Sequence, residues 1–363
     1  MALNCGIIGL TNSGKTTIFN CMSKSKGEIT SYAFSTNKSN IGIVDVPDPR
    51  LDLLTKLVPA KRVIHATVEL VDIPGLTKGS SQGEGIGNQF LGDIRNSNAL
   101  IYVLRCFEDE LLPHVEGSID PVRDIELLEF ELQVKDLELV ERKLERQKKL
   151  LKVGDKSAKF NVDTLLRFKE NLENFESLRN VEATEDERLV VRDLQLLTEK
   201  PVLYVCNVDE KSAINGNLFS AEVKKSVGDA EVIIIAGALE ADIAGLDDEE
   251  DRKAFLEDSG LAEPGVDKLI RAAYHILNLR TFFTVGDKEN KAWTIIDGYS
   301  APQAAGVIHS DLERGFIRAE VIKYQDFIKL GSENAVKEAG KFHVEGKTYI
   351  VEDGDLLNIR FNV

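Results

Sequence analysis

The sequence predicts an α/β protein: a doubly wound sheet interrupted by a helical hairpin and followed by a small ubiquitin-like sheet. Three observations carry this. Six short, mostly continuously apolar runs lie in the first 240 residues, at 3–8, 41–44, 66–71, 99–104, 202–206 and 232–236, with helical segments between several of them. Such runs are strands buried on both faces, which puts a ligand site at their carboxyl ends. Gly9-Leu10-Thr11-Asn12-Ser13-Gly14-Lys15-Thr16-Thr17 matches the phosphate-binding pattern G-x-x-x-x-G-K-[ST] between the first strand and a helix that opens at Thr17-Ile18-Phe19. From about 120 to 200 glycine almost vanishes and charged residues alternate with leucines.

Composition bounds the function classes. The 363 residues suit two or three domains. A net charge of −16 argues against nucleic-acid binding by bulk charge, so no DNA partner is expected, though a local basic patch remains able to bind phosphates. Four cysteines without a C-x-x-C pair and five histidines without metal-ligand spacing suit reduced structural thiols in a cytoplasmic protein. The chain runs straight into a strand, so no signal peptide is expected. Its apolar runs fall far short of the about 18 residues of a membrane span.

The first strand and the turn after it form an anion cradle. Backbone N–H groups and the positive end of the helix dipole face the phosphates. Within Asn12, Ser13, Gly14, Lys15, Thr16 and Thr17, Lys15 is placed to reach the β- and γ-phosphates, and the Thr16 hydroxyl to ligate Mg²⁺. Residues 23–40 are polar and aperiodic and read as a mobile loop. Thr36 lies there at the distance of a switch threonine that ligates Mg²⁺; a solvated loop threonine is the plain alternative.

Asp72-Ile73-Pro74-Gly75 ends the third strand. A carboxylate there can hold Mg²⁺ through water, and Gly75 can offer its N–H to the γ-phosphate. Leu76 stands where many GTPases carry a water-orienting glutamine, so intrinsic turnover is expected to be slow. Four glycines between 79 and 87 suit a segment reordered by nucleotide.

The hairpin is read from a stripe of Phe130, Val134, Leu137, Leu144 and Leu151, a turn at Gly154-Asp155, and a returning helix over 162–178 with Leu165, Phe168, Leu172 and Phe175 on one face. A third helix over 186–197 leads back to the sheet. Between 141 and 159, Arg142, Lys143, Arg146, Lys148, Lys149, Lys152, Lys156 and Lys159 face only three acidic residues, a local +5 in an acidic chain. It is either a solvated face or a surface for phosphate backbones.

Asn207-Val208-Asp209-Glu210 follows the fifth strand, where G-proteins carry N-K-x-D to read guanine. Val208 and Glu210 replace the lysine and the aspartate, so the guanine clamp is absent as written, and Ala236-Gly237-Ala238 would sit near the base. Beyond 281 the alternation suggests strands at 280–285, 291–296, 316–322, 348–351 and 356–363, a helix at 302–309, and a turn at Asp353-Gly354-Asp355.

Together, Gly9–Thr17, 72–91, 105–109, 207–210, 239–248 and the last 80 or so residues resemble the YchF family of Obg-like P-loop NTPases, and the C-terminal segment resembles a TGS domain. The resemblance implies an Obg-type G domain over 1–280, interrupted by a helical coiled-coil insertion at 120–200, and a β-grasp TGS domain at 281–363. It implies a cytoplasmic, ribosome-associated ATPase that uses ATP and Mg²⁺ and meets the large subunit or the whole ribosome. Ribosomal RNA would be met through the 142–159 tip. Asn12 to Thr17 would hold phosphates, Thr16 and Thr36 would ligate Mg²⁺, and Asn207 with the Val208 backbone and Glu210 would line the adenine pocket. Lys15, Thr36 and Gly75 would act on the reacting phosphate. Asn12 is a candidate ligand for K⁺. The chain departs from the family at Lys38, which stands in place of an acid, and at Pro74. A GTP-specific ribosome assembly GTPase and a nucleotide-gated scaffold without hydrolysis remain the alternatives.

Overall fold

The computed structural model describes residues 3–26, 39–74 and 86–362. In chain order the elements are β1 (Asn4–Ile8), α1 (Lys15–Lys26), β2 (Asn40–Asp45), α2 (Pro49–Leu57), β3 (Val63–Ile64), β4 (Thr67–Asp72), α3 (Ile86–Asn96) and β5 (Ala99–Cys106). There follow α4 (Pro121–Lys152), α5 (Ser157–Glu173), α6 (Glu185–Val191), β6 (Val202–Val208), α7 (Leu218–Val227), β7 (Val232–Ile235), α8 (Gly237–Gly245), α9 (Glu249–Asp258) and α10 (Gly265–Ile276). The last are β8 (Leu279–Thr284), β9 (Asn290–Ile296), α11 (Ala301–Ile308), α12 (Ser310–Arg314), β10 (Phe316–Ile322), α13 (Tyr324–Leu330), α14 (Glu333–Glu338), β11 (Phe342–Glu345) and β12 (Leu356–Phe361). Thr36 and Gly75, like Leu76 and Lys38, lie outside the described residues.

Contacts group these elements into two units. The first holds residues 1–42 and 69–269, the second 43–68 and 270–363. The boundary expected from sequence lies at 280, with 43–68 in the nucleotide-binding half.

The first unit is built on a six-stranded sheet of order β2-β4-β1-β5-β6-β7. β1 runs parallel to both β4 and β5, β5 to β6, and β6 to β7. Every residue of β5 and β6 is buried, which is why both read as unbroken apolar runs. The chain leaves β1 to one side for β2 and β4, then crosses to β5 on the other. That reversal opens a crevice at the carboxyl ends of β1 and β5, the place where such sheets bind ligands.

The hairpin is α4 folded back onto α5 through a four-residue turn. Asp120 caps α4 by accepting from Arg123 N at 3.0 Å, and Pro121 sits in the first turn. The buried face of α4 runs through Ile125, Leu128, Leu132, Asp136, Val140 and Leu144, with spacings of three and four. This corrects the expected stripe: Phe130 and Leu151 are exposed, and so is Phe175, whose ring stacks on Phe130 at 6.0 Å. A period reading could not separate the two faces because one position of the true stripe is an aspartate. Leu165, Phe168 and Leu172 of α5 are buried, as anticipated, and so is Val162, but the helix runs over Ser157–Glu173 and not over 162–178. The third helix is shorter than 186–197: it ends at Val191, and a tight turn with Gln195 at φ 48° redirects the chain.

The second unit holds a sheet of order β11-β10-β12-β8-β9-β3. The first and last long strands, β8 and β12, pair parallel at its centre, and β8–β9 is an antiparallel pair. α11 buries Ala301, Ala304 and Ala305 in a core with Phe282, Ile295, Phe316 and Leu357. That is the ubiquitin-like arrangement the alternation suggested. The expected strand at 348–351 is only a single bridge between Ser300 and Ile350, whereas β11, α13 and α14 had no clear signal. The Asp353-Gly354-Asp355 turn is a clamp. Asp353 accepts from Thr281 N and from Arg50 Nη1, and Gly354 stands at φ 89°. Asp355, 1% exposed, accepts from Lys323 Nζ and Tyr349 OH.

Candidate nucleotide-binding site

The phosphate loop leaves β1 and enters α1 at Lys15. Asn12 takes the left-handed region at φ 65° and Gly14 at φ 93°. At Gly14 a Cβ would stand 2.1 Å from Nδ2 of Asn207, and at Gly9 one would stand 2.4 Å from the carbonyl oxygen of Val103. Both glycines are there so that backbone can approach other groups closely. The Asn207 amide donates to Ser13 O at 2.9 Å and accepts from Gly237 N at 2.9 Å. It ties the loop to the start of α8.

Beside the loop lies a cavity of about 710 Å³. Asn12, Gly14, Lys15, Thr16, Thr17, Asn207, Val208 and Glu210 all line it. Of the cofactor-binding residues expected from sequence, only Ser13 does not, and its carbonyl is the acceptor for Asn207. Gly237 and Ala238 line it as well, in keeping with the sequence reading. Phe107 and Leu112 are additions. They follow the carboxyl end of β5, where a sheet of this kind places ligand contacts, and Phe107 lies inside the 105–109 stretch that carries the resemblance.

Lys15 is buried, and its Nζ donates to Leu10 O at 3.3 Å. Burial pulls its pKa below the ordinary lysine value, and the nearby Asp72 carboxylate pulls the other way. A buried ammonium met mainly by one carbonyl is an incompletely compensated charge, suited to a polyanion. Asp72 is buried, and burial raises its pKa against the opposing effects of Lys15, Thr16 and Asn40. Thr16 Oγ1 donates to Asp72 Oδ2 at 3.2 Å, while Asp72 Oδ1 is buried without a hydrogen-bond partner among the described residues. A hydroxyl beside a carboxylate with a spare buried oxygen is hard-oxygen chemistry that fits Mg²⁺. Asn12 Nδ2 donates to Pro113 O at 3.2 Å, which leaves only its side-chain oxygen for a cation.

Arg105, near the carboxyl end of β5, is 1% exposed. Its Nε donates to Phe107 O at 3.2 Å, its Nη2 to Asp109 O at 3.4 Å, and its guanidinium carbon stands 4.7 Å from the Phe107 ring centroid.

At the hairpin turn, Lys143 pairs with Asp193, Lys148 with Glu145 and Arg142 with Glu138. Arg146, Lys149, Lys152, Lys156 and Lys159 are exposed and make no ion pair among the described residues. No described helix is long and apolar enough to cross a membrane.

Comparisons with known proteins bear on both units. A family model described as a 50S ribosome-binding GTPase matches residues 4–156, and the model of the YchF GTPase C-terminal region matches 279–362. The chain is 47% identical over 364 residues to the ribosome-binding ATPase YchF of Haemophilus ducreyi, covering all of both chains. It is 46% identical to the protein of that name from Bacillus subtilis, again over the full length of both. The solved structure of the Schizosaccharomyces pombe YchF GTPase matches with a TM-score of 0.87 at 34% identity, over 99% of this chain and 97% of that one.

Proposed function

The chain belongs to the YchF family, and from that premise we propose that it is a ribosome-associated ATPase whose nucleotide state controls its hold on the ribosome. The relatives' names divide between ATPase and GTPase, so the choice of base rests on the site itself. The observation that carries the adenine reading is the cavity wall at Asn207-Val208-Asp209-Glu210. Its second position is a buried valine, not the lysine of a guanine site, and its last is a glutamate. A site reading a base by buried polar groups rejects the base that leaves them unpaired. Adenine needs an acceptor for N6 and a donor to N1.

Lys15 holds the β- and γ-phosphates, and the backbone from Ser13 to Thr17 surrounds them. The Thr16 hydroxyl would hold Mg²⁺, and Asp72 would hold it through water; the ion would supply charge neutralisation at the phosphates. Thr36 and Gly75 complete this set in our proposal, with Thr36 as a second Mg²⁺ ligand and Gly75 as an N–H donor to the γ-phosphate. K⁺ is proposed at the Asn12 side-chain oxygen; equal hydrolysis rates in K⁺ and Na⁺ would remove it. The C-terminal ubiquitin-like fold is read as a TGS domain, and the hairpin as a coiled-coil arm. We propose that it acts in the cytoplasm, with the ribosome.

The partner surface is the hairpin tip, where Arg146, Lys149 and Lys152 make no ion pair among the described residues, in a chain of net charge −16. Ribosomal RNA is the matching polyanion. Co-sedimentation with ribosomes in ATP, ADP or no nucleotide tests the central claim, and equal binding in all three would sink it. Neutralising the three basic residues should weaken binding and lower its salt slope by about one for each lost phosphate contact. Hydrolysis without ribosomes should stay unchanged.

A further inference from the structure

We propose that Arg105 is a positioning residue that sets the base-facing wall of the nucleotide cavity through Phe107, without touching nucleotide itself. This rests on the adenine reading above for the identity of the base, but not for the geometry.

The guanidinium is nearly sealed from water, yet it makes no ion pair among the described residues, and its Nη1 has no hydrogen-bond partner there. A buried charge held by carbonyl oxygens alone costs stability. An apolar side chain of similar volume would pack the same space at lower cost, so packing alone does not account for an arginine here. What the arginine does is hold a loop. Its fork bonds the carbonyls of Phe107 and Asp109, two residues apart, and so fixes the curvature of the chain leaving β5. Its guanidinium carbon lies over the Phe107 ring, 4.7 Å from the centroid and within cation–π range. Phe107, Asp109 and Leu112 then line the cavity, as Val208 and Gly237 do. One face of the Phe107 ring carries the guanidinium, and the ring also lines the cavity, where we infer that it stacks on a planar base. Arg105 does not line the cavity, so its effect on nucleotide passes through the residues it holds, Phe107 and Asp109, of which Phe107 alone offers a ring to a base.

The wall therefore contributes base stacking and not phosphate binding, and the two can be measured apart. The probes are ATP, GTP and inorganic tripolyphosphate, titrated with Mg²⁺ against the full-length protein and the variants Arg105→Met, Arg105→Lys and Phe107→Ala. Methionine keeps most of the volume and removes the charge; lysine keeps the charge but loses the fork and the flat face. We expect each variant to bind ATP about tenfold more weakly or worse, the worth of one base–aromatic stack. Tripolyphosphate affinity should stay within a factor of two of the parent. Arg105→Met combined with Phe107→Ala should be no weaker than Phe107→Ala alone. The proposal is overturned if ATP and tripolyphosphate weaken together in Arg105→Lys, if ATP affinity is unaffected, or if the two substitutions add in full. Should Arg105→Met fail to fold, Arg105→Lys carries the same comparison. A parent that prefers GTP would overturn the adenine reading alone, since the same ratios can then be taken with GTP.

Discussion

The side-chain amide of Asn207 donates to the carbonyl oxygen of Ser13 at 2.9 Å, joining residues 194 apart in the chain. Its oxygen accepts from Gly237 N, so one buried side chain sets the distance between the phosphate loop and the first turn of α8.

Asn207→Ala removes both bonds and strands two backbone groups. A loss of roughly 2–3 kcal/mol in stability is expected, with ATP affinity down by at least tenfold. Denaturant unfolding and nucleotide titration measure the two. Gly14→Ala should be as harmful, because its Cβ would meet Asn207 Nδ2 at 2.1 Å and φ 93° disfavours it. In the double variant the clash vanishes but the strain at φ 93° stays, so the two losses should fall short of additive.

Base choice should be transferable. Val208→Lys with Glu210→Asp rebuilds the guanine-reading pattern, and the ratio of GTP to ATP affinity should rise by tenfold or more. Competition titration with both nucleotides decides, and an unchanged ratio would mean that Phe107 and the α8 start dominate recognition.

Asp136 anchors the root of the hairpin. It is fully buried on α4 and accepts from Leu197 N at 2.9 Å, and from Thr198 N and Thr198 Oγ1 at 2.7 Å each. Asp136→Ala leaves these donors unpaired, and a cost of roughly 3–5 kcal/mol is expected. Hydrogen exchange should show the loss first at 196–200, where the chain re-enters the sheet.

Lys200 supplies a pH signature. Burial pushes its pKa down to about 8, against the pull of Asp136, while its Nζ donates to Arg95 O at 2.9 Å. Folded protein therefore binds fewer protons here than unfolded protein between about pH 8 and the ordinary lysine value. Its contribution destabilises below that window and is relieved as pH rises through it. Unfolding free energies of parent and Lys200→Met, compared from pH 7 to 10, should converge or cross in the parent's favour as pH rises. A constant difference would show that the ammonium is not strained.

Much of this protein is legible from sequence because its signals are local. β5 and β6 announce themselves as apolar runs, since strands covered on both faces admit little else. Gly9, Gly14, Lys15 and Thr16 sit at fixed spacing because a phosphate has one size and a tight turn few shapes. What the tertiary structure alone decided are the pairings between distant segments. An asparagine at 207 shows nothing of Ser13 or Gly237 until the sheet brings β1, β6 and β7 into line. Asp136 looks like a break in an apolar stripe until Leu197 and Thr198 arrive with unpaired N–H groups. β3 at Val63–Ile64 is two residues long, too short for any period, and becomes a strand only because β9 offers an open edge. Periodicity reports which face of an element is buried; which distant group meets that face depends on chain closure over many residues, and one sequence holds no record of it.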